Sequence, residues 1–224
     1  MKKVSLIFIL LIGFGCISYA QTVTIGTQVW MTKNLDVATF RNGDPIPQAK
    51  TNEEWKKAGE NQQPAWCYYD NDPANGAKYG KLYNWYAVND SRGLAPVGYH
   101  IPSDAEWTIL TDFLGGEEAA AARVAGKNLD GDEFAGTKMK STDFWADYEG
   151  NSGNGTNESG FSGLPGGGFN GSFNYIGKYG YWWSSTEFDS SNAWGRNLGY
   201  YLGNVFRYSG YFKRFGFSVR CLRD

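Results

Sequence analysis

Gly98-Tyr99-His100-Ile101-Pro102-Ser103-Asp104-Ala105-Glu106-Trp107 joins the end of a strand to the start of a capped helix. Pro102 fixes its own φ and pushes Ile101 into an extended conformation, so a strand is predicted to end there. Ser103 is a strong N-cap residue, and Glu106 lies three positions on. Together they make a capping box: the hydroxyl accepts the N–H of Glu106, and the carboxylate accepts the N–H of Ser103. Asp104 adds negative charge at the positive end of the helix dipole. Trp107, Leu110, Phe113 and Leu114 follow at three-and-four spacing and predict one buried helix face, ended by Gly115-Gly116. A strand, a tight entry and an amphipathic helix are thus written into about twenty residues.

Working outward, Thr22 to Trp30 alternates as a strand. Thr51-Asn52-Glu53-Glu54 repeats the capping-box logic and predicts a short helix through Ala58, stopped by Gly59. Trp66 to Tyr69 reads as extended, and Asp70 to Gly76 as a loop by composition. Lys81 to Val88 does not alternate and is read as a helix. Glu117 to Gly126 is alanine-rich and predicts a short helical insertion. Asp130 to Ser159 is a long polar loop region with embedded aromatics. From Gly160 the chain reads as β structure: a strand over Tyr181–Phe188, a return over Ala193–Leu202, a hairpin signal at Gly203-Asn204, and strands over Asn204–Phe212 and Gly216–Leu222. In the last of these Phe217, Val219 and Cys221 share one face. Gly166-Gly167-Gly168 is read as a tight β crossing and not as a phosphate cradle, because no Lys-Ser/Thr follows it.

The chain has 224 residues, 30 of them glycine, with 17% aromatic side chains. Much glycine, many aromatics and frequent turn signals point to a loop-rich α+β domain. Lys2-Lys3, the apolar run Val4–Phe14 and Ser18-Tyr19-Ala20 read as a secretory signal peptide cleaved before Gln21, leaving residues 21–224 as one domain. A lipoprotein signal ending at Cys16 is the alternative. The predicted location is therefore extracellular, periplasmic or cell-surface. Losing Lys2 and Lys3 takes the formal charge from −2 to −4. A mildly acidic chain with scattered Lys and Arg has no basic stripe for nucleic acid. No second apolar run is long enough to be transmembrane. Cys67 and Cys221 remain, and in an oxidising compartment they are expected to form a disulfide.

The motif Gly93 to Trp107 resembles the signature of the Fibrobacter succinogenes major paralogous domain family. Ile25 to Leu35, Tyr79 to Trp85, Ser159 to Gly167, Trp183 to Glu187 and Gly216 to Cys221 match it in the same order, over nearly the whole mature chain. The resemblance implies a secreted bacterial domain without an assigned activity. The Pro102-Ser-Asp-Ala-Glu-Trp107 core is also similar to a motif of sulfatase-modifying, formylglycine-generating enzymes, which implies a C-type-lectin-like fold. Their oxidase chemistry needs two late thiols for copper, and only Cys221 stands there, so no such enzyme activity is expected.

No catalytic set stands out. His100 is the only histidine, and it is read as a packed or hydrogen-bonding residue. Asp130, Asp132, Glu133, Asp143 and Asp147 are read as solvated loop acids, with calcium ligation the alternative; no other cofactor is suggested. What remains is a surplus of aromatics. Trp182 and Trp183 fall on opposite strand faces, so one is expected to face out or line a cleft. The resulting expectation is a non-catalytic binding module for carbohydrate or a surface protein. Its predicted ligand-binding residues are Trp145, Trp183, Glu187, Trp194, Arg196 and Tyr208. Their placement on the late hairpin and long loop comes from the lectin-like resemblance. An extracellular enzyme of unrecognised type and a purely structural surface protein are the competing readings.

Overall fold

A computed structural model of the chain describes residues 21–116 and 134–224. The predicted signal peptide with Cys16, the alanine-rich insertion and the acids Asp130, Asp132 and Glu133 lie outside the described residues. The order is mixed α+β. Strands β1 (Thr22–Ile25) and β2 (Gln28–Met31) form a hairpin. Helix α1 (Asn52–Glu60) leads to β3 (Trp66–Cys67), helix α2 (Pro73–Tyr79), β4 (Leu82–Tyr83) and the single-turn helix α3 (Trp85–Val88). Then come β5 (Tyr99–His100), helix α4 (Asp104–Phe113) and helix α5 (Ala135–Met139). The chain finishes through β6 (Gly168–Phe169), β7 (Phe173–Asn174), β8 (Tyr179–Glu187), β9 (Asn192–Gly199), β10 (Val205–Phe212) and β11 (Leu222–Arg223).

The sheets are small and antiparallel: β1-β2-β11-β5, β10-β9-β8, and the ribbons β3-β4 and β6-β7. The segment Gly216–Cys221 ties them together. Gly216 pairs with Phe169, Phe217 with Tyr83, and Ser218 with Tyr181 and Trp183. Val219 accepts from Leu35 N and Cys221 from Met31 N. Phe217, Val219 and Cys221 enter one apolar cluster, as alternation predicts. The other face is buried too: Arg220 donates to the Met31 and Phe161 carbonyls and to Asn34 Oδ1, and Leu222 joins a second cluster around Trp30 and Trp107.

The capping box at Ser103 forms in full. Ser103 Oγ accepts from Glu106 N at 3.3 Å, and Glu106 Oε2 accepts from Ser103 N at 2.8 Å. At α1 only half of it forms: Thr51 caps Glu54 N, while the Glu54 carboxylate takes the N–H of Lys50. That helix also runs past Gly59, whose missing Cβ lets the side chain of Arg214 lie against it. Two local expectations are corrected. Asp70–Gly76 is not loop: Asp72 caps Ala74 N, and Pro73 in the first helical position needs no N–H partner, so α2 begins there. Lys81–Val88 is not one helix: Asn84 ends β4 and caps α3 with its side chain. The triple glycine is a tight crossing. A Cβ on Gly167 would stand 2.5 Å from the Asn174 carbonyl oxygen.

The expected disulfide is absent; Cys67 and Cys221 are free, buried thiols. Cys67 packs with Trp55, Tyr69 and Phe169 in one cluster, and Cys221 packs with Met31, Trp183 and Val219 in another. Each behaves as a small apolar side chain. Burial raises both thiol pKa values, that of Cys221 to about 12, which leaves them unreactive.

Candidate functional site

The six residues predicted to bind ligand do not share a surface, because strand alternation divides them. Tyr181 and Trp183 lie opposite Asn197 and Gly195 on one face of the three-stranded sheet, with Phe206 and Tyr208. Trp182 and Arg196 lie on the other. Trp183 is buried and donates to the Tyr83 carbonyl at 2.8 Å. Trp182 is buried as well and donates to Asn34 Oδ1, so neither tryptophan faces out. Trp145 is buried and bonds Ser141 Oγ and the Gly163 carbonyl. Arg196 is buried against α4, where its Nη1 meets Asp104 Oδ1 at 2.6 Å. Arg207 grips the same carboxylate and lies 3.9 Å over the ring of half-buried Trp194. Burial works against ionised Asp104, but hydrogen bonds from Arg207 and Arg196 outweigh it and lower its pKa. Glu187 pairs with Lys213, and exposed Tyr208 packs on Tyr211. Of the six, only Tyr208 keeps a large exposed aromatic surface.

His100 bridges two acids, with Nδ1 at 2.8 Å from Asp224 and Nε2 at 2.9 Å from Glu106. Burial lowers its pKa, and the two carboxylates more than reverse that, so the net shift is upward. Asp143 and Asp147 are exposed, and among the described residues no three His, Cys, Asp or Glu side chains gather to hold a metal ion.

An aromatic concavity lies on the Tyr181 face of the sheet. A recess of about 400 Å³ is walled by α1, the β6–β7 turn and Arg214-Phe215. Trp55 and Phe169 form its floor, with ring centroids 5.2 Å apart. Trp55 is fixed by its indole N–H bond to the Arg214 carbonyl at 2.7 Å. A second hollow of about 70 Å³ shares Phe169, Asn170 and Phe215 with it and continues over Tyr181, Tyr211 and Phe217 to Asn174 and Tyr175. The two make one groove. Tyr181 stacks on Phe217 at 4.9 Å, and Tyr211 stands edge-on to Phe217 at 4.8 Å. Gly195 makes room for Tyr211, since a Cβ there would come within 2.9 Å of the Tyr211 ring. Burial raises the pKa of Tyr181 and takes that of Tyr211 to about 12, so both hydroxyls stay neutral. The groove's ionic groups, Glu53, Lys56 and Arg214, carry opposed charges, and Lys56 is also paired with Glu60.

The sequence reading missed this groove. Its signal was Asn170-Gly171 between Phe169 and Phe173, a hairpin turn flanked by aromatics. The aromatic surplus points to a surface site, but Trp145, Trp182 and Trp183 are core.

The chain matches the Fibrobacter succinogenes major domain over residues 23–223. It belongs to that family. The match confirms the resemblance carried by the Gly93–Trp107 motif and includes every residue of the groove. No curated protein and no solved structure matches the chain. The family has no assigned function, so a functional reading of this domain rests on its own geometry. Among the described residues no helix is long and apolar enough to cross a membrane.

Proposed function

We propose that this domain is a non-catalytic binding module of the cell exterior and that the aromatic groove is its ligand site. The observation that carries the reading is the groove itself, with aromatic rings for a floor and the amides of Asn52, Asn170 and Asn174 on its rim. Flat apolar faces beside amide groups suit a ligand with both apolar faces and hydrogen-bonding edges. Export through the segment before Gln21 belongs to this proposal. So does the C-type-lectin-like reading of the fold, supported by the capped α4 motif and by a long loop region beside a late antiparallel sheet.

The test is a binding screen of the purified protein against immobilised cell-wall polysaccharides and surface proteins, run beside the double variant Arg214→Ala/Phe215→Ala. Arg214 is exposed and Phe215 half-buried, so circular dichroism is expected to show a folded variant. The proposal expects a ligand that the variant has lost. A ligand held equally well by the variant moves the site elsewhere.

A further inference from the structure

Tyr175 is a bulky residue in the left-handed region, with φ +69, and the residue is 51% exposed. That conformation costs on the order of 1 kcal/mol or more for a non-glycine residue. The turn holds it there: the Tyr175 carbonyl accepts from both Lys178 N and Tyr179 N at 2.9 Å, and its ring stands edge-on to Tyr179. The chain thus pays strain to keep a flat aromatic face in solvent at the groove's end.

Asn170 and Asn174 line the same hollow. Asn174 Nδ2 donates to Asn170 Oδ1 at 2.8 Å and also to Ser172. The internal bond uses one amide's donor and the other's acceptor. It leaves Asn170 Nδ2 and Asn174 Oδ1, on two residues that line the hollow with Tyr175, as a donor and an acceptor outside that bond, a combination that complements neighbouring hydroxyls, each of which both donates and accepts. The hollow contains no ionisable group besides tyrosine.

Resting on the groove as the ligand site, we propose that its occupant is an uncharged polysaccharide. One pyranose ring stacks on Tyr175, and the Asn170–Asn174 pair reads a vicinal diol of that ring. At the Tyr175 end an anionic polymer is disfavoured because the hollow there provides no cation. A peptide is disfavoured because the Asn170 donor and Asn174 acceptor suit adjacent hydroxyls and the hollow offers no charged group to a peptide's ionic side chains.

The test is affinity electrophoresis of the purified protein in native gels. The neutral probes are hydroxyethyl cellulose, galactomannan and dextran; the charged probes are alginate and heparin. Tyr175→Gly removes the ring and relieves the strain, because glycine tolerates a positive φ, so its melting temperature is expected not to fall. Asn170→Asp keeps the acceptor for Asn174 and removes the Asn170 donor. The expected result is retardation by at least one neutral polymer, weakened about tenfold or more in both variants. Four results overturn the proposal. Neutral binding that survives both substitutions but is lost in Arg214→Ala/Phe215→Ala removes the subsite and leaves the groove. Retardation by charged polymers alone, or binding of surface peptides alone, removes the ligand class. Absence of binding to every polymer and protein tested removes the groove reading as well.

Discussion

Lys140 takes its ammonium into the interior and delivers it to three backbone carbonyls, those of Gly153 at 2.8 Å, Leu202 at 3.1 Å and Gly199 at 3.4 Å. One side chain thereby pins the long loop to the β9–β10 turn. Lys140→Met keeps much of the volume and takes this donor from the Gly153 and Leu202 carbonyls, so a loss of about 2–4 kcal/mol is expected in urea denaturation. His100 acts on the pH axis. Its folded pKa lies above the ordinary value, so the stability it contributes is complete below about pH 6.5 and is lost as pH rises through the folded value. Glu106 has a lowered pKa: burial opposes ionisation, but the Ser103 and His100 hydrogen bonds prevail. Its contribution is present above about pH 4.5 and fades as pH falls through the lowered value. The melting temperature of the wild type is therefore expected to decline from mildly acidic to mildly alkaline pH. His100→Gln should flatten that decline, and an unchanged slope would assign it to another group.

At the scale of the element, α4 is held at both ends of its first turn. Glu106 closes the capping box, and Asp104 reaches across to Arg196 and Arg207 on the sheet. Glu106→Ala is expected to cost about 1 kcal/mol of stability without weakening ligand binding. Asp104→Ala should cost more, about 3–5 kcal/mol, because it leaves the Arg196 charge buried without its carboxylate. Thermal or urea melts rank the two; equal losses would mean that the ion pair adds nothing beyond helix-end charge. This element was legible in advance because capping is local: a hydroxyl and a carboxylate three residues apart are enough. The partners of Asp104 were not legible, since Arg196 and Arg207 come from strands whose register no local pattern states. The hairpin carrying Tyr175 was hidden for a related reason. Its signal is short, and a strained tyrosine has no mark in sequence.

At the scale of the molecule, the terminal segment Gly216–Cys221 makes backbone bonds to pieces from both halves of the chain, so its two faces sit in two different cores. Period-two alternation was readable there; that both faces are covered was not, because coverage depends on how the small sheets pack. The same blindness produced the expected disulfide. An even cysteine count says nothing of which cluster each thiol joins. Two free thiols are expected in residues 21–224 after denaturation without reductant, and titration with a thiol reagent checks this. A blocked pair would restore the bridge. The central claim is that ligand binds in the aromatic groove. The most direct measurement is a ¹H–¹⁵N NMR titration of the protein with a neutral glucan, mannan or xylan hexasaccharide. Saturating shifts are expected for the Trp55 indole N–H, the Asn170 side-chain amide and the backbone amides of Gly171 and Tyr175. Saturating shifts confined instead to Trp194, Arg207 and the α4 side of the sheet would contradict the claim.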